Sequence, residues 1–323
     1  MGIKDLNKFL RKECKSAIKK LHLSELSGKI VVIDISIYMF KFTEEGGLVE
    51  NMYLMLSVFR HYNITPIFIF DGKSPTEKKE LIQQRRNNRL ENEKEYENLK
   101  NLLDTKKLDE EKEEIKCNMD ILKKKIIHIS KKDFENVKKI IHSFGAVYYE
   151  ALGEADELCA FLTIKEQAWA CLSEDMDMFV YGCTRVIRYL SLLNHTCVLY
   201  EQKEILNELR ITQKEFTEIC VLSGTDYNIH NKTVSLSKTL NLFKSFKNKK
   251  INMEFYEWLR ENTNYIEDYN LLIGIDKMFH IEGEVSENLV NFEKISTISG
   301  NGQIKMNDIK AILKEDGFVF PIN

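Results

Sequence analysis

The chain has 323 residues, 43% of them hydrophobic and 30% charged, with only three prolines. That length supports one large α/β domain or two smaller ones with a sizeable core, and the composition excludes a repeat or low-complexity protein. The formal net charge of −3 shows no global basic character, but a basic stripe beside an acidic metal site cancels in such a sum, so charge has to be judged locally.

Seven cysteines occur without a CxxC pair, which argues against a disulfide framework in a chain of this size and for buried free thiols. The N-terminus, MGIKDLNKFLRKECK, has no apolar signal core, and no apolar run reaches membrane-spanning length. The expected setting is soluble, away from membranes and in an intracellular reducing compartment.

The run from Lys29 to Ser36 reads as a buried parallel strand rich in β-branched residues, followed by a helix from Glu50 to Tyr62 and a strand from Ile64 to Asp71. From Gly72 to about Ile129 the composition turns to Lys, Glu, Arg and Asn, as in a solvated helical hairpin or a partly disordered insertion. Ser130 and Asp133 suit a helix start, and Gly145 suits its end after Phe144. A strand at 146–150, a helix through Glu154 to Glu166, a strand at 168–172 and β-like runs at 186–190 and 197–200 follow, and helices dominate from Thr212. Strands alternating with helices predict an α/β fold with a central, mostly parallel sheet. Four segments are expected: an N-terminal region (1–71), a charged helical insertion (72–129), an internal region (130–240) and a C-terminal helical region packed on the core (241–323).

In such sheets ligands bind beyond the carboxyl ends of the strands. Asp34 and Asp71 each end an apolar strand, Asp175 and Asp177 follow a third, and Glu154 and Asp156 open the helix after a fourth. Asp226, in Leu222-Ser-Gly-Thr-Asp-Tyr227, is the seventh acid. Seven carboxylates in a small volume repel and raise one another's pKa unless hard divalent cations sit among them. Oxygen-only ligands suit Mg²⁺, with Mn²⁺ as a substitute, and two ions about 3.5–4 Å apart suit phosphodiester cleavage. Each acid taken singly is equally a strand-end or N-cap residue.

Residues 72–90 hold six Lys/Arg against two Glu, a net +4. On a continuous helix Lys78, Arg85 and Arg89 share one face. A basic face beside an acidic metal site can bind a phosphate and stabilise transition-state charge, although a solvated helix face has the same composition.

The blocks Met1-Gly-Ile-Lys-Asp-Leu6, Val32-Ile-Asp34-Ile-Ser36, Phe70-Asp71-Gly72-Lys73-Ser74-Pro75, Gly153-Glu154-Ala155-Asp156-Glu157, Ser173-Glu-Asp175-Met-Asp177 and Leu222–Tyr227 resemble the flap endonuclease group of the xeroderma pigmentosum G family of structure-specific 5′ nucleases. The resemblance covers roughly residues 1–240. Asp5 stands where that family usually has glycine, and Asp156 where it has glutamate. The resemblance implies a PIN-like 5′ nuclease fold with a helical arch and a helical C-terminal DNA-binding region. It implies two metals, the first served by Asp34, Asp71, Glu154 and Asp156, the second by Asp175, Asp177 and Asp226. Lys78 and Arg85 map onto the family's catalytic lysine and arginine at the base of the arch.

On the same reading Gly2, Phe40, Arg89, Gly224 and Lys238 are the expected DNA contacts, with Phe40 stacking on a base; a core role for Phe40 is equally compatible with its sequence. The family's Gly-x-Gly hairpin, which grips duplex phosphates with a monovalent ion, is replaced by Thr233-Val234-Ser235, and Met55 stands where an arginine contact is expected. No sliding-clamp motif is recognisable, since Gln303 and Met306 lack the aromatic pair. The implied activity is hydrolysis of DNA at single-strand/duplex junctions in replication and repair. The partner is branched DNA with a 5′ single-stranded flap, and the expected state is a monomer. The expected location is the nucleus of a cell or a viral replication compartment. A 5′→3′ exonuclease, a junction resolvase, a catalytically silent scaffold of the same family and a small RNA-cutting nuclease are the alternatives.

Overall fold

The computed structural model describes residues 2–105, 109–228, 234–281 and 303–318. Its strands are β1 (Ile18–His22), β2 (Ile30–Asp34), β3 (Thr65–Phe70), β4 (Val147–Glu150), β5 (Ala170–Leu172), β6 (Arg185–Ser191) and β7 (Thr196–Glu201). They form one sheet in the order β1-β7-β6-β5-β2-β3-β4. The five strands from β6 to β4 run parallel, and β7 pairs antiparallel with both β6 and β1. The sheet is therefore mixed around a parallel centre.

The central strands are apolar without interruption because both faces are covered. Val32, Ile67 and Ile69 point into one hydrophobic cluster, while Val31, Ile33, Phe68 and Phe70 point into the other. The first cluster is closed by α1 (Leu6–Glu13), α7 (Ala155–Ile164), α8 (Asp177–Val180), α9 (Gln202–Leu209), α10 (Gln213–Ser223), α11 (Leu236–Asn248), α12 (Phe255–Asn262) and α13 (Tyr269–Met278). The second is closed by α2 (Ile35–Glu44), α3 (Leu48–His61), α6 (Lys131–Ser143) and a final described helix, Met306–Glu315. No described helix is long and apolar enough to cross a membrane.

The charged insertion forms two helices, α4 (Lys79–Thr105) and α5 (Asp109–Lys125), which pack on each other. Of the two forms that composition leaves open, the helical one is adopted; Ile115 and Leu122 supply part of its small apolar seam. The start of α6 forms as anticipated: the Asp133 N–H donates to Ser130 Oγ at 3.2 Å, and the Ser130 N–H donates to Asp133 Oδ2 at 2.7 Å.

Two expectations are corrected, and two elements, α2 and β1, were not anticipated. The strand expected to reach Ser36 stops at Asp34, because Ile35 begins α2. In α2 the β-prone run Ile-Ser-Ile-Tyr-Met-Phe is helical, burying Tyr38, Met39 and Phe42 and leaving Phe40 52% exposed. That exposure removes the core alternative for Phe40. Strand β1 gave no apolar signal, since its Lys19 and Lys20 are exposed on a sheet edge. Met55 is fully buried in the core, so it presents no surface contact. Thr233 lies outside the described residues.

Candidate metal centre at the strand ends

Parallel β2, β3, β4 and β5 all deliver their carboxyl ends to one edge of the sheet, and the acids follow from that. Asp34 is the last residue of β2, Asp71 follows β3, Glu154 and Asp156 open α7 after β4, and Asp175 follows β5. Gly72 draws two of these loops together: its N–H donates to Gly153 O at 2.7 Å and Lys73 N–H to Leu152 O at 3.0 Å. A Cβ at Gly72 would collide with the Ala151 carbonyl oxygen, so only glycine permits this approach.

Hydrogen bonds then fix the side chains. Asp71 accepts from Ser36 Oγ at 2.6 Å and from the Ala155 N–H at 2.9 Å. Asp34 accepts from Ser173 Oγ at 3.0 Å, and the same hydroxyl accepts from the Asp175 N–H at 3.1 Å. Asp175 in turn accepts from the Asp177 N–H at 3.0 Å. Oxygens of Asp156, Asp175 and Asp177 lie within 4.8 Å of one another, so Asp156, expected at the first metal, also lies against two of the acids expected at the second.

Electrostatics join the rest. Burial pushes the Asp34 carboxyl up to about 8, helped by Asp71 and Asp175. Asp156 is driven well above the carboxylate range by burial and then by Asp175, Asp34 and Asp177. Asp177 is driven up by burial and then by Asp175, with Asp226 and Glu154 adding to it. All seven predicted acids therefore belong to one interacting cluster. Asp177 Oδ1 is buried without a hydrogen-bond partner, a costly arrangement unless a cation serves it. An all-oxygen donor set of this density fits a hard divalent ion.

Two cations from the arch reach the cluster. Lys78 precedes α4 in a short 3₁₀ turn, Thr76–Lys78, and its Nζ lies 2.8 Å from both oxygens of Glu154. Burial alone would lower the Lys78 pKa, but Glu154, Asp156 and Asp177 hold it above the ordinary lysine value. Arg85, on α4, donates from Nη2 to Asp226 Oδ2 at 2.9 Å. Arg89 does not reach the centre, since it turns to Glu93 at 3.5 Å and to His128 at 3.4 Å inside the arch. The helical face expected to carry all three residues is broken at Lys78, where the 3₁₀ turn changes the rotation per residue.

Gly2, with φ +77, packs so closely on Asp175 and Asp177 that a Cβ would overlap their Oδ1 atoms. Gly224 holds φ +117 at the end of α10, and its carbonyl accepts from the Lys4 N–H at 3.3 Å. Both glycines are thus part of the frame of the centre. Lys238 is exposed on α11, with its ammonium 4.6 Å over the Tyr265 ring. Sequence reasoning passed over Ser36, Ser173 and Tyr227. The Tyr227 hydroxyl donates to Glu154 at 2.9 Å, and its ring lies 4.9 Å beneath the Lys78 ammonium. The available signal was position: each lies one or two residues from a cluster acid.

Comparison with known proteins agrees with this architecture. Models of the XPG N-terminal domain and of the XPG I-region match residues 1–92 and 145–226, together more than half of the chain. "Flap endonuclease 1" of Heterostelium pallidum is 30% identical over 269 residues, 77% of this chain and 66% of that protein. "Flap endonuclease 1-A" of Oryza sativa subsp. japonica is 29% identical over 70% of this chain and 62% of its own length. The chain thus spans slightly less than two thirds of these relatives. The solved catalytic core of Rad2 in complex with DNA substrate superposes with a TM-score of 0.66 at 19% identity, covering 97% of this chain and 95% of that one. With the acidic motifs, the sheet order and both family models in agreement, the chain belongs to the XPG family.

Proposed function

We propose that this chain is a metal-dependent 5′ nuclease that hydrolyses DNA at the junction between a single-stranded 5′ flap and a duplex. The observation that carries the reading is the convergence of seven carboxylates, six of them from the ends of β2 to β5 and the loops and helix starts that follow and Asp226 from the loop after α10, with Lys78 and Arg85 from the arch. Curated relatives named flap endonuclease, at about 30% identity, support the same substrate class.

In this reading Asp34, Asp71, Glu154 and Asp156 hold one Mg²⁺ and Asp175, Asp177 and Asp226 a second, with Mn²⁺ able to replace either. Bound there, two such ions would stabilise charge on the attacking and leaving oxygens of the phosphodiester. The residues of the chain do the rest. Asp156 lies close enough to Asp175 and Asp177 to tie the two sets together. Lys78, held against Glu154 and the Tyr227 ring, keeps a fixed positive charge at the floor of the centre. Arg85 is half-exposed, so its guanidinium can exchange Asp226 for a phosphate oxygen of the incoming strand. Exposed Phe40 supplies a stacking surface for a base beside the cut.

The test is cleavage of an end-labelled double-flap DNA with and without Mg²⁺. Wild type should release the flap only with the metal, and Asp175→Ala should bind without cutting. Equal cutting by both proteins would overturn the proposal, and absence of cutting by wild type would favour a silent scaffold. Nicked, blunt and four-way substrates in the same panel separate flap cleavage from exonuclease and resolvase activity.

A further inference from the structure

A row of cations that pair with no carboxylate among the described residues leads away from the metal centre along α1. It begins beside the centre, where the Lys4 N–H meets Gly224 O and Gly2 abuts Asp175 and Asp177. Lys4, Lys8, Arg11 and Lys15 are all exposed; Lys8 and Arg11 lie about one turn apart on α1, and Lys4 and Lys15 flank its two ends. Past the end of α1, Ser16 Oγ and the Ala17 N–H donate to the Glu208 carboxylate. There Glu208, Arg210, Lys244, Lys247 and Asn248 line an open pocket of about 500 Å³. Lys247 is engaged by Glu215 at 2.8 Å. Among the described residues no carboxylate lies within 4 Å of Lys4, Lys8, Arg11, Lys15, Arg210 or Lys244.

Arg11 is held in place before any ligand arrives. Its Nε donates to the Tyr200 hydroxyl at 3.3 Å, which donates to Asn7 Oδ1 at 2.9 Å; Asn7 Nδ2 donates to the Tyr189 hydroxyl at 2.6 Å. The guanidinium lies 4.8 Å over the Tyr189 ring. Tyr189 has φ +54 at an irregularity in β6, and its N–H donates to Glu174, the neighbour of Asp175. Such strain at a bulge beside a reaction centre is retained where it aims a side chain. The network thus couples Arg11 to the loop that carries Asp175.

We propose that Lys4, Lys8, Arg11, Lys15, Arg210 and Lys244 form a second nucleic-acid surface that holds backbone phosphates of the duplex arm of the substrate. The proposal rests on the nuclease reading above and names a contact surface outside the metal centre. A duplex rather than a single strand is indicated by the aromatic group: the Tyr189 ring, 39% exposed, is already engaged by Arg11 and Arg188 at 4.8 and 5.0 Å, which compete with a base for its faces. Scale agrees as well. The eight residues of α1 span roughly 12 Å, and a duplex strand presents one phosphate per ~3.4 Å of axis.

The test is fluorescence anisotropy of a blunt DNA duplex and of a single strand, without metal, across a salt series. The ridge variant is K8Q/R11Q/K15Q/K244Q; K8Q/K15Q/K244Q spares the Arg11 network in case the first fails to fold. The control, K131Q/K132Q, removes charge from α6 on the opposite face of the sheet. Each lost phosphate contact should reduce the slope of log K against log salt by about 0.9. The triple variant should therefore lose about 2 to 3 in slope and bind duplex on the order of tenfold or more weakly. The control should match wild type both in slope and in single-turnover rate at saturating flap DNA. An unchanged slope in the ridge variants, or a loss confined to single-strand binding, would overturn the surface. A reduced slope in a protein that never cuts DNA in Mg²⁺ would instead sink the nuclease reading and leave the surface standing.

Discussion

Lys78 Nζ sits 2.8 Å from both carboxylate oxygens of Glu154, tying the foot of the arch to the loop that follows β4. Both side chains are largely buried, at 12% and 15% exposure. The ammonium therefore offsets part of the repulsion within the acid cluster, and it ties the residue before α4 to that cluster. Lys78→Met should lower the metal-free melting temperature and reduce single-turnover flap cleavage at least tenfold. Unpairing a buried charge costs about 3–5 kcal/mol, with the lower end expected so close to water. Unchanged melting would show that the bond is incidental.

Stability without metal should fall as pH rises. The Asp34 carboxyl titrates near 8 in the folded chain against about 3.9 when unfolded. Between those values the unfolded state binds fewer protons, so folding is progressively disfavoured up to about pH 8. Glu218, raised to about 7 by burial, adds the same sign. Melting in EDTA from pH 5 to 8 should show a decline that Asp34→Asn lessens without abolishing. Added Mg²⁺ should raise the melting temperature more at pH 8 than at pH 5, because it favours the ionised carboxylates. A decline that Asp34→Asn leaves unaltered would refute the assignment.

Gly72→Ala tests the loop junction. The added methyl meets the Ala151 carbonyl oxygen, so the loops bearing Asp71 and Glu154 must separate. The expected cost is about 1–3 kcal/mol of stability, read by urea denaturation, with a larger proportional loss in cleavage than in duplex binding. Wild-type activity would show that the two loops need not touch.

For Arg85→Ala the expectation is the reverse balance. Its side chain is 50% exposed, so melting should change little. The single-turnover rate should drop on the order of 10²-fold or more, as when one electrostatic donor is removed from a transition state. A rate within twofold of wild type would remove Arg85 from the chemistry.

The strands β2 to β7, the acids at or after the ends of β2 to β5 and the capping box at Ser130 were readable in the sequence, because each depends on neighbours a few residues apart. Apolar runs dictate buried strands, and a carboxylate ending such a run must face the sheet edge. Helix α2 and edge strand β1 were not readable: the first has β-prone residues overridden by packing, and the second hides Lys19 and Lys20 in a strand. Only the tertiary structure decided that Asp156 joins Asp175 and Asp177, that Lys78 binds Glu154, and that Arg89 turns into the arch. Those outcomes depend on how loops from separate strands meet and on where a helix begins. Such contacts form between residues far apart in the chain, where no local period or propensity records them.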